Sequence, residues 1–298
     1  MSSILKITNL LDLSPSDRDS LLERAGVEME EVMPKVRDII SEVRETGDEA
    51  LFQYTSKFDG VNLDEIEVRD EEISRAYEQV NDDEIKTIEK AAEAVERYHD
   101  RQLPEDWLDE FGNGVWAGQI VRSLKSVGCY VPGGEAKYPS SVLMEVIPAR
   151  VSGVEKTVLC TPPNSEGSVN PYTLVAADIA EASEVYKVGG AQAIAALAYG
   201  TESEPSVQKI VGPGNIYVSG AKKAVSLDVD IDLLAGPTEV LVIADSSADP
   251  GSVAWDLIAQ SEHRPSSASV LVTDSSELAE KVQEKVESLL EGFERREI

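Results

Sequence analysis

The chain is poor in the residues that usually build metal and redox sites. It has two histidines, His99 and His263, and two cysteines, Cys129 and Cys160, among 298 residues. The cysteines sit in apolar runs without paired spacing, which argues against a disulfide framework and for buried thiols in a reducing compartment. Basic residues are scarce too: 27 Lys and Arg stand against 56 Asp and Glu, a formal charge of −29 spread along the whole chain. Such a surface repels phosphate backbones and anionic headgroups, so neither nucleic acid nor membrane is an expected partner. No apolar run approaches the ~20 residues needed to span a bilayer. The start, "MSSILKITNL", has neither the basic nor the long apolar region of a signal peptide. A cytoplasmic protein is expected. The nucleotide signatures G-x-G-x-x-G and G-x-x-x-x-G-K-[ST] are also missing.

What is present is an ordinary globular balance, 42% apolar and 28% charged, in a chain long enough for one large or two ordinary domains. Dense carboxylates repel one another unless salt screens them; the Debye length falls to about 3 Å at 1 M salt. The acid excess therefore reads as adaptation to a high-salt cytoplasm, with a merely soluble acidic protein as the alternative.

The first hundred residues pattern as helices. In "LSPSDRDSLLERAG", Ser14 is placed as N-cap, Pro15 at the first helical position and Gly26 just past the end. "VMPKVRDIISEVRETGD" carries Val36, Ile39, Ile40 and Val43 on one face and stops at Gly47. "DDEIKTIEKAAEAVERYHDRQLP" closes at Pro104, with His99 near its end as a solvated or helix-terminus residue rather than a ligand. From about Gly114, strands and glycine turns alternate with helices, from "KSVGCYVPGG" through "ASVLVTD" to the amphipathic "SSELAEKVQEKVESLLEGFERREI". That alternation predicts an α/β fold with mostly parallel sheets and helices on both faces.

In open α/β sheets, ligands bind beyond the strands' carboxyl ends. "VPGG", "VGGAQA" and "VGPGN" fall at such ends, and the helices after the last two would aim amide N–H groups at an anion such as a pyrophosphate. Spacing alone leaves two readings open: a nucleotide site, or glycines that only make tight turns. Gln260 and His263, three apart at a helix end, face one way. By spacing alone they are a weak metal corner.

Taken together, "GCYVPGG", "YPSSVLMEVIPARVSGV", "VYKVGGAQAIAALAYGT", "KIVGPGNIYV", "AGPTEVLVIAD" and "DLIAQSEH" resemble histidinol dehydrogenase in content, order and separation. The resemblance implies a zinc enzyme of histidine biosynthesis that oxidises L-histidinol to L-histidine in two steps with two NAD molecules. It implies NAD contacts at Tyr130, Gln192 and Asn215, substrate contacts at Thr238, Gln260 and His263, and zinc ligands at Gln260 and His263. A threonine stands at 238 where many members have serine, and the hydroxyl survives. The family's homodimer is implied as well. So are two Rossmann-like parallel-sheet domains behind an N-terminal helical region, with an NAD-binding domain at 127–237 inserted into a first domain formed by 1–126 and 238–298. The catalytic Glu–His pair, an aspartate ligand, a second zinc histidine and a substrate-binding glutamate are expected beyond Ile298. The chain is thus read as a C-terminally truncated form without its general base. The alternative is a natural short relative that binds NAD or a protein partner without catalysis.

Overall fold

The computed structural model describes residues 5–22, 26–133, 138–234, 239–262 and 267–293. The chain divides into two compact units: Glu28–Leu234, and Met1–Val27 with Ala235–Ile298.

The smaller unit begins with α1 (Pro15–Leu22). Ser14 Oγ accepts the Asp17 N–H at 3.2 Å, the capping contact its position predicts. Gly26 is not the stop of this helix, because α2 (Gly26–Thr46) opens on it. Gly47 does stop α2; its N–H reaches Val43 O at 2.9 Å, and its φ of 55° turns the chain into α3 (Asp48–Phe58). Within the larger unit then come α4 (Asp70–Gln79) and α5 (Asp82–His99), the latter capped reciprocally by Asn81 and Glu84. An antiparallel ribbon follows, β1 (Trp107–Glu110) with β2 (Trp116–Gln119).

The rest of the larger unit alternates strand and helix. It runs β3 (Ser126–Tyr130), α6 (Pro139–Val151), β4 (Lys156–Cys160), α7 (Pro171–Ile179), β5 (Glu184–Tyr186), α8 (Gly190–Tyr199), β6 (Lys209–Val211), α9 (Ile216–Val225) and β7 (Asp230–Ile231). All five strands pair in parallel, in the order β5-β4-β3-β6-β7. The chain therefore winds outward from β3 to β5, then restarts at β6 on the other side. The switch lies between β3 and β6. Alternation along the strands divides the core: Tyr130, Val158 and Cys160 face α2, α3, α8 and α9, while Val127, Cys129 and Leu159 face α4 to α7.

In the smaller unit, β8 (Glu239–Ile243) and β9 (Ala268–Val272) pair in parallel. Val242 and Leu271 pack with α10 (Pro250–Ser261) and α11 (Ser276–Leu290), whereas Leu241 and Ile243 on the other face are exposed.

The structure thus has the α/β class with parallel sheets and leading helices. Its two compact units divide at 27/28 and 234/235. The reason is packing: Val36, Val43 and Leu51 of α2 and α3 share one core with α8 and α9, and Ala76, Ile88 and Ala92 of α4 and α5 share the other with α6 and α7. Burying each such Leu or Ile is worth about 1.5–3 kcal/mol, so these helices adhere to the five-stranded sheet. Both cysteines are buried free thiols.

Candidate functional site

The turns after β3, β4, β5 and β6 lie along one end of the five-stranded sheet. They approach so closely that side chains are excluded. A Cβ on Gly133 would lie 2.4 Å from Pro162 Cγ, and one on Gly189 would lie 2.5 Å from Pro162 Cβ. Gly212, at φ +116°, would set a Cβ 2.2 Å from the Tyr130 carbonyl oxygen. Only glycine fits there, both for its backbone angle and for the approach of β3.

Tyr130, the last residue of β3, is buried, and its hydroxyl accepts the Gly190 N–H at 3.1 Å. Burial, with some repulsion from Asp59, pushes its pKa up to about 12, so it remains a neutral hydroxyl with a proton to donate. Gln192, in the first turn of α8, is 1% exposed, and its Oε1 is shielded without a hydrogen-bond partner. Asn215 is the N-cap of α9, its Oδ1 accepting from Tyr217 N at 3.0 Å and Val218 N at 3.1 Å. This corrects the picture of bare helix ends aimed at an anion. The Gly190 amide is taken by Tyr130, and two α9 amides are taken by Asn215, whose carboxamide is then exposed at the turn.

Beneath the β6–α9 turn is a charged group that sequence reasoning missed. Lys222 Nζ donates to the Gly212 carbonyl at 2.9 Å and pairs with Asp232 Oδ1, while Asp232 Oδ2 accepts the Gly212 N–H at 2.9 Å. Glu145 of α6 lies beside them with both carboxyl oxygens shielded and unpartnered. Burial holds it well above the usual carboxylate range, with Lys222 opposing and Asp232 reinforcing. Asp59 is pushed up to about 6 by burial, and its Oδ2 too lacks a partner. A signal for the first of these existed: Lys222 falls among Val218, Ala221 and Val225 at helical spacing, a charge on an apolar stripe.

In the other unit, Gln260 occupies the last turn of α10 and is buried. Thr238 and His263 lie outside the described residues. Of the two readings offered for His99, the helix-terminus one fits: it is the last residue of α5, half-buried, with its Nε2 shielded and without a hydrogen-bond partner. Among the described residues, no group of three or more His, Cys, Asp and Glu is arranged to hold a metal ion, and no helix is long and apolar enough to cross a membrane.

The strand order, the switch point and the packed glycine turns define an open parallel α/β sheet of the kind that takes ligands beyond its strands' carboxyl ends. Residues 22–298 match the family model "Histidinol dehydrogenase", and the chain belongs to that family. It is 52% identical over 278 residues to histidinol dehydrogenase of Methanothermobacter thermautotrophicus, covering 93% of this chain and 65% of that protein. It is 49% identical over 295 residues to that of Haloarcula marismortui, covering 99% and 68%. The crystal structure of histidinol dehydrogenase from Elizabethkingia anophelis superposes with a TM-score of 0.88 at 37% identity, over 96% of this chain and 66% of that one. The chain thus spans about two thirds of the length of the relatives it matches.

Proposed function

We propose that the chain binds NAD at the glycine turns of the Glu28–Leu234 unit and forms part of an enzyme that oxidises L-histidinol to L-histidine. The observation that carries the reading is Gln192. An amide oxygen that is buried and unpartnered costs about 1–3 kcal/mol, and this one lies beside the Gly190 turn. A ligand hydroxyl or amide donor would satisfy it. Tyr130 and the exposed carboxamide of Asn215 would complete the polar contacts, beside the close packing of Gly133 and Gly189 on Pro162.

Bound NAD supplies a hydride acceptor, and converting an alcohol to a carboxylate takes two such transfers, hence two NAD per substrate. Family membership supports this assignment. Thr238, Gln260 and His263 are proposed to hold the substrate, and Gln260 and His263 to supply two zinc ligands; the reading assigns neither a complete zinc shell nor a general base within residues 1–298. A homodimer, a cytoplasmic location and adaptation to high salt belong to the same reading, the last supported by the acid excess. Binding of NAD without turnover by this chain alone is therefore the expected behaviour.

Calorimetric titration with NAD tests the reading. Saturable binding that weakens at least tenfold in Gln192→Ala is expected. No binding, or equal binding by the variant, overturns the assignment of the turns. Histidinol turnover by the 298-residue chain would overturn the statement that it lacks a base. Zinc analysis of wild type against His263→Ala checks the metal corner independently of activity.

A further inference from the structure

The larger unit has a concave feature formed by α2, α8, α9 and the segment after α9. It is a cavity of about 470 Å³ walled by Arg37, Arg44, Tyr199, Lys223 and Asp228. That volume lies within the range of small-molecule sites, about 300–1,000 Å³. Lys223 and Asp228 are at the opposite end of α9 from its N-cap Asn215, so the cavity is separate from the glycine turns.

Its charge runs against the rest of the chain. Acids outnumber bases two to one overall, yet three cations and a single carboxylate line this groove. The carboxylate is already engaged: Asp228 Oδ2 accepts the Tyr199 hydroxyl at 2.7 Å. That bond braces the ring over which the Arg44 guanidinium lies, 4.4 Å from its centroid. Arg37 stands two turns before Arg44 on α2, and Lys223 stands on α9. Among the described residues, neither Arg37 nor Lys223 makes a salt bridge or a side-chain hydrogen bond. Two guanidinium forks and an ammonium around an apolar floor of Met33, Ile40 and Ala224 match a phosphate group carried on a small organic body.

We propose that this groove is a binding site for a small phosphate-bearing molecule, with Arg37, Arg44 and Lys223 as the phosphate ligands. The proposal is independent of the dinucleotide reading. A chloride ion would fit the charge, but it would not use the volume or the directional forks.

The test is calorimetric titration of the 298-residue chain with inorganic phosphate and with ribose 5-phosphate, at constant ionic strength in chloride, with ribose as the uncharged control. Saturable binding of both phosphates and none of ribose is expected, with ribose 5-phosphate the tighter. Affinity should fall at least tenfold in Arg37→Ala and in Lys223→Ala, whose exposed helical positions leave circular dichroism and thermal midpoint near wild type. It should remain unchanged in Gln192→Ala. Undetectable binding at 10 mM, on the order of a −2.7 kcal/mol limit, overturns the proposal. Equal affinity in the groove variants, or loss in Gln192→Ala instead, also overturns it by assigning the phosphate to the glycine turns or to nonspecific charge.

Discussion

Lys222 and Asp232 together hold both faces of one peptide residue: the lysine donates to the Gly212 carbonyl, and the aspartate accepts the Gly212 N–H, each at 2.9 Å. The lysine side chain is nearly buried, and the aspartate's is about a quarter exposed. Removing either partner leaves a poorly solvated charge and frees the turn. Lys222→Met and Asp232→Asn should each lower unfolding stability by about 2–3 kcal/mol, less than for a fully buried pair because of that exposure. The double variant should recover part of the loss. Urea melts of the four proteins give the coupling directly; strictly additive losses would contradict the clamp.

Gly212 and Gly60 both have positive φ, but only one is crowded. Gly60, at φ +73°, has nothing within 4 Å of the place a methyl group would take, whereas Gly212 meets the Tyr130 carbonyl oxygen at 2.2 Å. Gly60→Ala should cost only backbone strain, about 1 kcal/mol. Gly212→Ala adds a clash and should cost about 3–5 kcal/mol in all, with loss of the proposed NAD binding. Similar thermal midpoints for the two variants would refute the close approach of β3 and the β6–α9 turn.

A buried acid makes stability depend on pH in the unusual direction. Glu204 is fully enclosed; the Cys160 thiol donates to its Oε1 at 3.1 Å, and its Oε2 has no partner. Burial pushes its pKa up to about 8, against the Cys160 hydrogen bond and with further repulsion from Asp48 and Glu184. The folded state therefore keeps this proton between about pH 4.5 and 8, where the unfolded chain gives it up. Its contribution is full below the unfolded pKa and declines as pH rises through the folded one, levelling above about 8. Glu204→Gln should remove a decline of a few kcal/mol across that window, read as the wild-type minus variant difference in chemical denaturation. Parallel curves would show that Glu204 does not titrate there.

Self-repulsion among a net −29 charges should make the fold salt-dependent. Raising KCl from about 0.1 M to about 2 M shortens the screening length several-fold and should lift the thermal midpoint by at least about 5 °C. An unchanged or lower midpoint would remove the support for a high-salt origin.

Much of the α/β region was legible because its signals are local. The β3, β4, β5 and β6 runs are short and apolar, bounded by glycine and proline turns, and each helix that follows is long enough to show its stripe. Tyr130, Gln192 and Asn215 were named only through the family resemblance of the contiguous segments that hold them. Three things were less legible. The helices α3 and α4 and the β1–β2 ribbon did not stand out within the leading helical texture. The helix termini were expected to offer free amides, but Asn215 and Tyr130 occupy them, a choice made by side-chain geometry that spacing does not carry. Glu145 of α6, Lys222 of α9 and Asp232 after β7 come from three separate elements, so nothing local joins them.

Periodicities, turn positions and charge follow from the order of residues alone, since they depend on neighbours a few residues apart and on composition. That order also determined the family, through long contiguous segments. Three-dimensional packing chose which face each amphipathic helix covers, and with it the start of the larger unit at Glu28. It alone set Gly212 against β3 and gathered Arg37, Arg44 and Lys223 around one groove. The physical reason is the same in each case: an apolar stripe or a charge states that it needs a partner, while the partner is chosen by packing among residues far apart in the chain.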